Sequence, residues 1–101
     1  LEFRRVLFRS TINGARALQL GNITGSVEKG KKADLAILRL DVPSMMPNNN
    51  LLAALSYSAN GSEVDTVMID GKIVMENREL KTVDEEKVYY HVREICRKVG
   101  L

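Results

Sequence analysis

The segment Val64-Asp-Thr-Val-Met-Ile-Asp-Gly-Lys-Ile-Val-Met75 sets two apolar, β-branched runs on either side of Asp70-Gly71. That pair suits a two-residue type I′ turn, in which both central residues take positive φ. The spacing predicts a hairpin with Ile69 facing Lys72, Met68 facing Ile73, Val67 facing Val74 and Thr66 facing Met75. Apolar pairs then fall on both faces of the ribbon, so it needs cover on both sides. The stretch from Ala33 to Leu40 makes the same demand. Following a Lys29-Gly30-Lys31 turn, it reads as a strand with Leu35 and Ile37 on one face and Ala36, Leu38 and Leu40 on the other. Such near-continuous apolarity marks a strand buried on both sides.

Helical signals flank these strands. Ser10 is placed to cap a helix running to about Leu20, with Ile12, Ala15 and Leu18 on one side and Gly21 positioned to end it in the left-handed conformation. Gly14 inside that helix costs about 1 kcal/mol relative to alanine, so the helix depends on tertiary support. From Asp41 to Asn50 two prolines and three successive asparagines make a loop, in which Met45 and Met46 read as gap-filling side chains rather than a ligand surface. Asn50 then caps a short helix from Leu51 to about Ser58, stopped by Asn60-Gly61. Thr82-Val-Asp-Glu85 has capping-box spacing and opens a terminal helix. Its Val88, Val92, Ile95 and Val99 form one apolar stripe, flanked by Tyr89 and Cys96, before Gly100.

Composition narrows the class. The 101 residues are 45% hydrophobic with a net charge of +2, which fits one globular domain and argues against disorder. The positive charge is dispersed. Lys29, Lys31 and Lys32 surround a glycine with no aromatic or second basic strip, so they read as a solvated turn rather than a phosphate or nucleic-acid contact. The single cysteine, Cys96, excludes an intrachain disulfide and fits a reducing compartment. No apolar run approaches the roughly 18 residues of a membrane span. With no secretory signal, the sequons Asn22-Ile-Thr24 and Asn60-Gly-Ser62 read as coincidental, and a cytoplasmic location is expected.

Groups capable of chemistry are few. His91 lies on the flank of the terminal stripe without a serine, cysteine or second ligand placed to cooperate, so it reads as a boundary residue. Cys96 reads as a small core residue rather than a reactive thiol. Asp84, Glu85 and Glu86 fall in the first turn of a helix, where they complement the positive end of its dipole. Asp34 and Asp65 stand at strand beginnings and Asp70 has its turn to make, so no carboxylate pair is presented for acid-base work. Gly30 and Gly71 are turn glycines without the strand–glycine loop–helix context of a nucleotide site.

Four blocks occur in order: Thr11-Ile-Asn-Gly-Ala-Arg-Ala-Leu-Gln-Leu-Gly21, Glu28-Lys-Gly-Lys-Lys-Ala-Asp-Leu-Ala-Ile-Leu38, Leu55-Ser-Tyr-Ser-Ala-Asn-Gly-Ser-Glu-Val-Asp-Thr66 and the hairpin. Together they resemble the C-terminal end of an amidohydrolase-superfamily chain. There, a Gly-Lys-x-Ala-Asp strand with an apolar tail precedes a Val-x-x-Val hairpin ending in Gly-Lys. The first and third blocks resemble the branch containing 5-methylthioadenosine/S-adenosylhomocysteine deaminases. The resemblance runs from about Thr11 to about Glu86. Residues 1–10, Leu-Glu-Phe-Arg-Arg-Val-Leu-Phe-Arg-Ser, match nothing the family places ahead of the Thr11 block. They read as translated cloning or adaptor sequence rather than a basic membrane anchor, and are set aside as a non-native leader.

The resemblance implies an α+β architecture. Residues 11–22 would be the last helix of a (β/α)8 barrel, and residues 23–101 the C-terminal strands of the composite β-sandwich beside it, with a closing helix. It also implies a parent enzyme that binds zinc or iron through a His-x-His pair, further mid-barrel histidines and an aspartate after the last strand. Metal-bound hydroxide would attack the amino-bearing carbon of an adenine nucleoside such as S-adenosylhomocysteine or methylthioadenosine, and ammonia would leave. With one histidine and no His-x-His, this chain is expected to hold no catalytic, cofactor-binding or metal-binding residue and to be inactive alone. Its implied partners are the parent's N-terminal strands and barrel, the parent's nucleoside, and a second copy in a homo-oligomer, with no nucleic acid and no membrane. Guanine, cytosine or a chlorinated triazine stay open as substrates, because substrate contacts lie in barrel loops. The alternative is a stand-alone, non-catalytic α/β binding or subunit-interface module. Against it stand the doubly apolar strands and their exposed edges.

Overall fold

The computed structural model describes residues 2–47 and 49–101. Two helices, α1 (Glu2–Ser10) and α2 (Ile12–Ala17), precede strand β1 (Leu35–Leu38). A 3-10 turn (Pro43–Met45) and a short helix, α3 (Leu51–Ala53), follow, and α3 continues as a π-helical turn (Ala54–Ser58). Strands β2 (Val64–Ile69), β3 (Lys72–Glu76) and β4 (Glu79–Leu80) then lead to α4 (Glu85–Lys98). The strands form one antiparallel sheet in the order β1-β2-β3-β4.

The hairpin turn forms as expected, with φ of 50° at Asp70 and 77° at Gly71. Ile69 pairs with Lys72 and Met68 with Ile73, but a bulge then places Val67 opposite Met75 instead of Val74. The extra residue leaves the Val74 carbonyl to accept from the Lys81 amide at 2.8 Å. A second two-residue turn, Asn77-Arg78 with φ of 50° and 68°, adds β4, where Met75 pairs with Leu80. β1 is half the length expected from Ala33 to Leu40, and Ile37 and Leu38 straddle a second irregularity against β2.

Helix boundaries also differ from the sequence reading. Residues 2–10, set aside as a leader, are helical and pack on α2 and α3. Ser10 caps nothing, because its hydroxyl donates to the Val6 carbonyl at 2.9 Å, and the Thr11 hydroxyl donates to Leu7 at 2.7 Å. Both hydroxyls are claimed by the preceding turn. α2 ends before Leu20 because Gln19, not Gly21, takes the left-handed conformation at φ 62°. The Gln19 amide donates to Arg16 and the Leu20 amide to Ala15, closing a Schellman motif. Asn50 does cap α3, its side chain accepting from the Ala53 amide at 3.1 Å. At α4 the cap is Asp84 rather than Thr82, with Oδ1 accepting from the Lys87 amide at 3.1 Å.

The apolar core is small. Ile12, Ala15, Met45 and Ala54 are its buried members, so Met45 fills a gap as expected while Met46 lies exposed. Gly25, at φ 97°, fits against α2 only because it lacks a Cβ, which would stand 2.7 Å from Ala15 Cβ. The helices pack mainly on one another and the strands on one another, and no helix of the described residues lies along either sheet face. Leu35, Ile37, Ile69 and Ile73 are exposed, contrary to the cover their pattern demands. So is the α4 stripe, from Val88 to Val99, and Cys96 is only half-buried. The radius of gyration is 17.4 Å, against about 13 Å for a compact chain of this length. The accessible surface, 8146 Å², exceeds the roughly 5,700 Å² of a compact monomer of this mass by about 2,400 Å².

Candidate functional site

The seam between the helical segment and the sheet is held by Asp34. It directly precedes β1, so its carboxylate reaches both sides of the seam. Oδ1 accepts from the Asp70 amide and Oδ2 from the Thr24 hydroxyl, each at 2.7 Å. The neighbouring backbone repeats the stitch: Gly71 donates to Ala33 at 3.0 Å and Lys32 donates to Ile23 at 2.8 Å. The Asp70 amide, and after it the Thr24 hydroxyl, hold the Asp34 carboxyl below its ordinary value. Lys32 and Asp70 add an exposed ion pair at 3.7 Å, which contributes little.

A second hub is Glu63, the buried charged side chain among the described residues, at 1% exposure. The Ser44 hydroxyl donates to Oε1, the Gly61 amide to Oε2 at 2.9 Å, and the Asn60 amide lies 3.1 Å from Oε1. The Ser44 bond, with the backbone amides of Glu63, Asn60 and Gly61, outweighs burial and holds the carboxyl down to about 2. Burying the charge is tolerable because its lone pairs are filled. Its backbone carbonyl also accepts from the Arg39 amide at 2.8 Å, extending the edge of β1. The sequence reading assigned Glu63 no role. The available signal was the Asn60-Gly61-Ser62-Glu63 turn with an acid at its end.

The sequence-flagged groups are dispersed. His91 lies on exposed α4, with Nδ1 3.5 Å from Glu94 Oε2 and its ring edge-on to Tyr90 at 5.6 Å. Asp65 accepts from the Thr66 hydroxyl at 2.9 Å, and Lys31 pairs with Glu28 at 2.9 Å while donating to Ser26. Among the described residues no three of histidine, cysteine, aspartate and glutamate gather closely enough to hold a metal ion. The described residues therefore offer no ligand cluster that fits the metal the resemblance implies. An open cleft of about 840 Å³ separates the helices from β1, walled by Ile12, Leu18, Leu20, Val27 and Leu35. No helix of the described residues is long and apolar enough to cross a membrane.

A small four-stranded antiparallel sheet, joined through a carboxylate clasp to a helix pair, defines an α+β unit. The chain belongs to the amidohydrolase family, whose model matches residues 1–74. It is 56% identical over 90 residues to a 5-methylthioadenosine/S-adenosylhomocysteine deaminase of Thermoanaerobacter pseudethanolicus, and 53% over 90 residues to that of Acetivibrio thermocellus. Each alignment covers 89% of this chain and 21% of the relative, so the chain spans about a fifth of the length of the curated relatives it matches. The structure superposes on a zinc-bound adenosine deaminase from Xanthomonas campestris with a TM-score of 0.84 and 34% identity, over 93% of this chain and 21% of that one.

Proposed function

We propose that this chain is the C-terminal part of a cytoplasmic, metal-dependent hydrolytic deaminase that acts on adenine nucleosides such as S-adenosylhomocysteine or methylthioadenosine. The observation that carries the reading is the identity of 53–56% to deaminases of that name across 89% of this chain. The roughly 2,400 Å² of surface beyond a compact monomer supports it, because a unit completed by a larger chain carries such a face. In this reading residues 11–22 are the last barrel helix, residues 23–101 the end of a composite sandwich, and residues 1–10 a leader foreign to the enzyme. The missing strands and barrel are its partners, and the divalent metal, zinc or iron, belongs to that barrel.

No residue of this chain takes a step in the reaction. What the chain contributes is placement. Asp34 fixes the turn of the β2–β3 hairpin against the loop after α2, so the sandwich keeps one orientation to the barrel's last helix.

Two experiments test the reading. The source locus, read in frame upstream of Thr11, should lack the Leu1 to Ser10 segment and encode a barrel with a His-x-His near its start and an aspartate after its last strand. An initiation codon just ahead of Leu1, with no such histidines upstream, overturns it. The purified 101-residue chain should neither retain stoichiometric zinc nor deaminate S-adenosylhomocysteine. Turnover surviving chelator-washed controls refutes the assignment of chemistry to the missing part.

A further inference from the structure

We propose that Asn60-Gly61 is a deamidation site held latent by Glu63, so that opening of the turn ahead of β2 is converted into a permanent covalent change. Asparagine followed by glycine is the step most open to attack by its own backbone, because no side chain shields the glycine nitrogen. In that reaction the Gly61 nitrogen loses its proton to solvent base and bonds to Asn60 Cγ. The Cγ–Nδ2 bond breaks, and Nδ2 takes a proton and leaves as ammonia. Water then opens the succinimide at either carbonyl, giving aspartate or isoaspartate at position 60.

The structure blocks the first step at the nucleophile. The Gly61 amide donates to Glu63 Oε2 at 2.9 Å, and the Asn60 amide is held by the same carboxylate at 3.1 Å and 3.3 Å. A negative charge facing the Gly61 N–H disfavours its deprotonation. Moving the nitrogen onto Cγ also breaks a charge-assisted bond to a carboxylate that is 1% exposed. The electrophile is fixed as well, since Asn60 Oδ1 accepts from the Ser62 amide at 3.0 Å and the Ser62 hydroxyl at 2.6 Å.

The isoaspartyl product cannot return to this arrangement. Isoaspartate adds a backbone methylene three residues before the Glu63 carbonyl that Arg39 engages, whereas aspartate keeps the side-chain oxygen that accepts from Ser62. The lengthened isoaspartyl backbone prevents the turn from closing as before. The extent of modification at position 60 thereby records the fraction of time that the turn spends open.

Asn13-Gly14, inside α2, is an internal control for global unfolding. The chain is incubated in mildly alkaline buffer, and both asparagines are followed by peptide mass mapping, natively and in denaturant. Native Asn60 should react about tenfold or more slowly than in denaturant, the factor that one charge-assisted bond to the carboxylate supplies. Glu63→Gln should recover most of that rate at Asn60 while leaving Asn13 at its native rate. Ser44→Ala, which loosens Glu63 without touching Asn60 or Gly61, should give an intermediate rate. Equal native and denatured rates at Asn60 overturn the proposal, as does a Glu63→Gln variant in which Asn60 stays slow or accelerates only together with Asn13.

Discussion

Gly25→Ala should destabilise the chain by about 2–5 kcal/mol, from two separable sources. The φ of 97° lies in the left-handed region, where a Cβ costs about 1–2 kcal/mol. The added Cβ would then stand 2.7 Å from Ala15 Cβ, 3.0 Å from Ile12 Cα and 3.2 Å from the Thr11 carbonyl oxygen. None of these atoms sits at the end of a flexible side chain, so α2 has to shift, at a further cost of about 1–3 kcal/mol for overpacking. Gly30→Ala isolates the first source, because Gly30 has a φ of 90° and a Cβ added there would meet nothing within 4 Å. Urea denaturation of both variants, read as midpoints at constant slope, should show Gly25→Ala losing at least about 1 kcal/mol more than Gly30→Ala. Equal losses would refute the close approach of the 23–26 turn to α2. They would also remove the packing that carries Thr24 to Asp34.

Glu63 predicts an acid transition. Its folded value of about 2 lies below the ordinary 4.5, so its contribution is fully present above about 4.5 and is lost as pH falls toward 2. Glu63→Gln should flatten the stability-against-pH curve in that window, and an unchanged slope would show that the carboxylate is not held this way. Asp84→Ala removes the cap of α4 and should cost about 1 kcal/mol, read from helix content by circular dichroism. Ile95→Asp should cost less than about 1 kcal/mol in this chain, because Ile95 is 60% exposed; a loss above about 3 kcal/mol would mean that the stripe is covered. Gly71→Val, at φ 77°, should cost about 1–2 kcal/mol and disturb the amide shifts of Ile69 and Lys72, the pair next to the turn.

The hairpin turn was legible because Asp70-Gly71 needs nothing beyond its own backbone chemistry. The bulge was not legible, since Val67 meets Met75 only once β4 has claimed the Val74 carbonyl, and β4 is two residues long. Caps divide on the same principle. Asn50 faces no competitor and caps α3, whereas the Ser10 hydroxyl is taken by Val6, and a sequence pattern does not rank those two uses. The Asp34 clasp was invisible for a further reason. Its partners, Thr24 and Asp70, lie 10 and 36 residues away, and a lone aspartate before a strand carries no sign of either. Glu63 likewise depends on Ser44, 19 residues distant.

The exposed faces are where sequence and structure disagree most usefully. The near-continuous apolarity of β1 and the two-faced apolar pairs of the hairpin demand cover on both sides, yet Ile37 is 53% and Ile69 54% exposed. Isolated exposed leucines or isoleucines need no explanation, but Leu35, Ile37 and Ile73 exposed together on one face of the sheet do. The local chemistry is meanwhile in place: turns, caps and bulges are formed, and Glu63 and Asp34 are engaged. A misfolded or frustrated sequence fails at that level first. Here it is the long-range cover that is lacking. The surplus of about 2,400 Å² over a compact monomer exceeds the roughly 800 Å² that a standard interface takes from one partner. A surface of that size points to a permanent neighbour rather than a transient one. That is the relation proposed between this sheet and the barrel of a deaminase chain about five times its length.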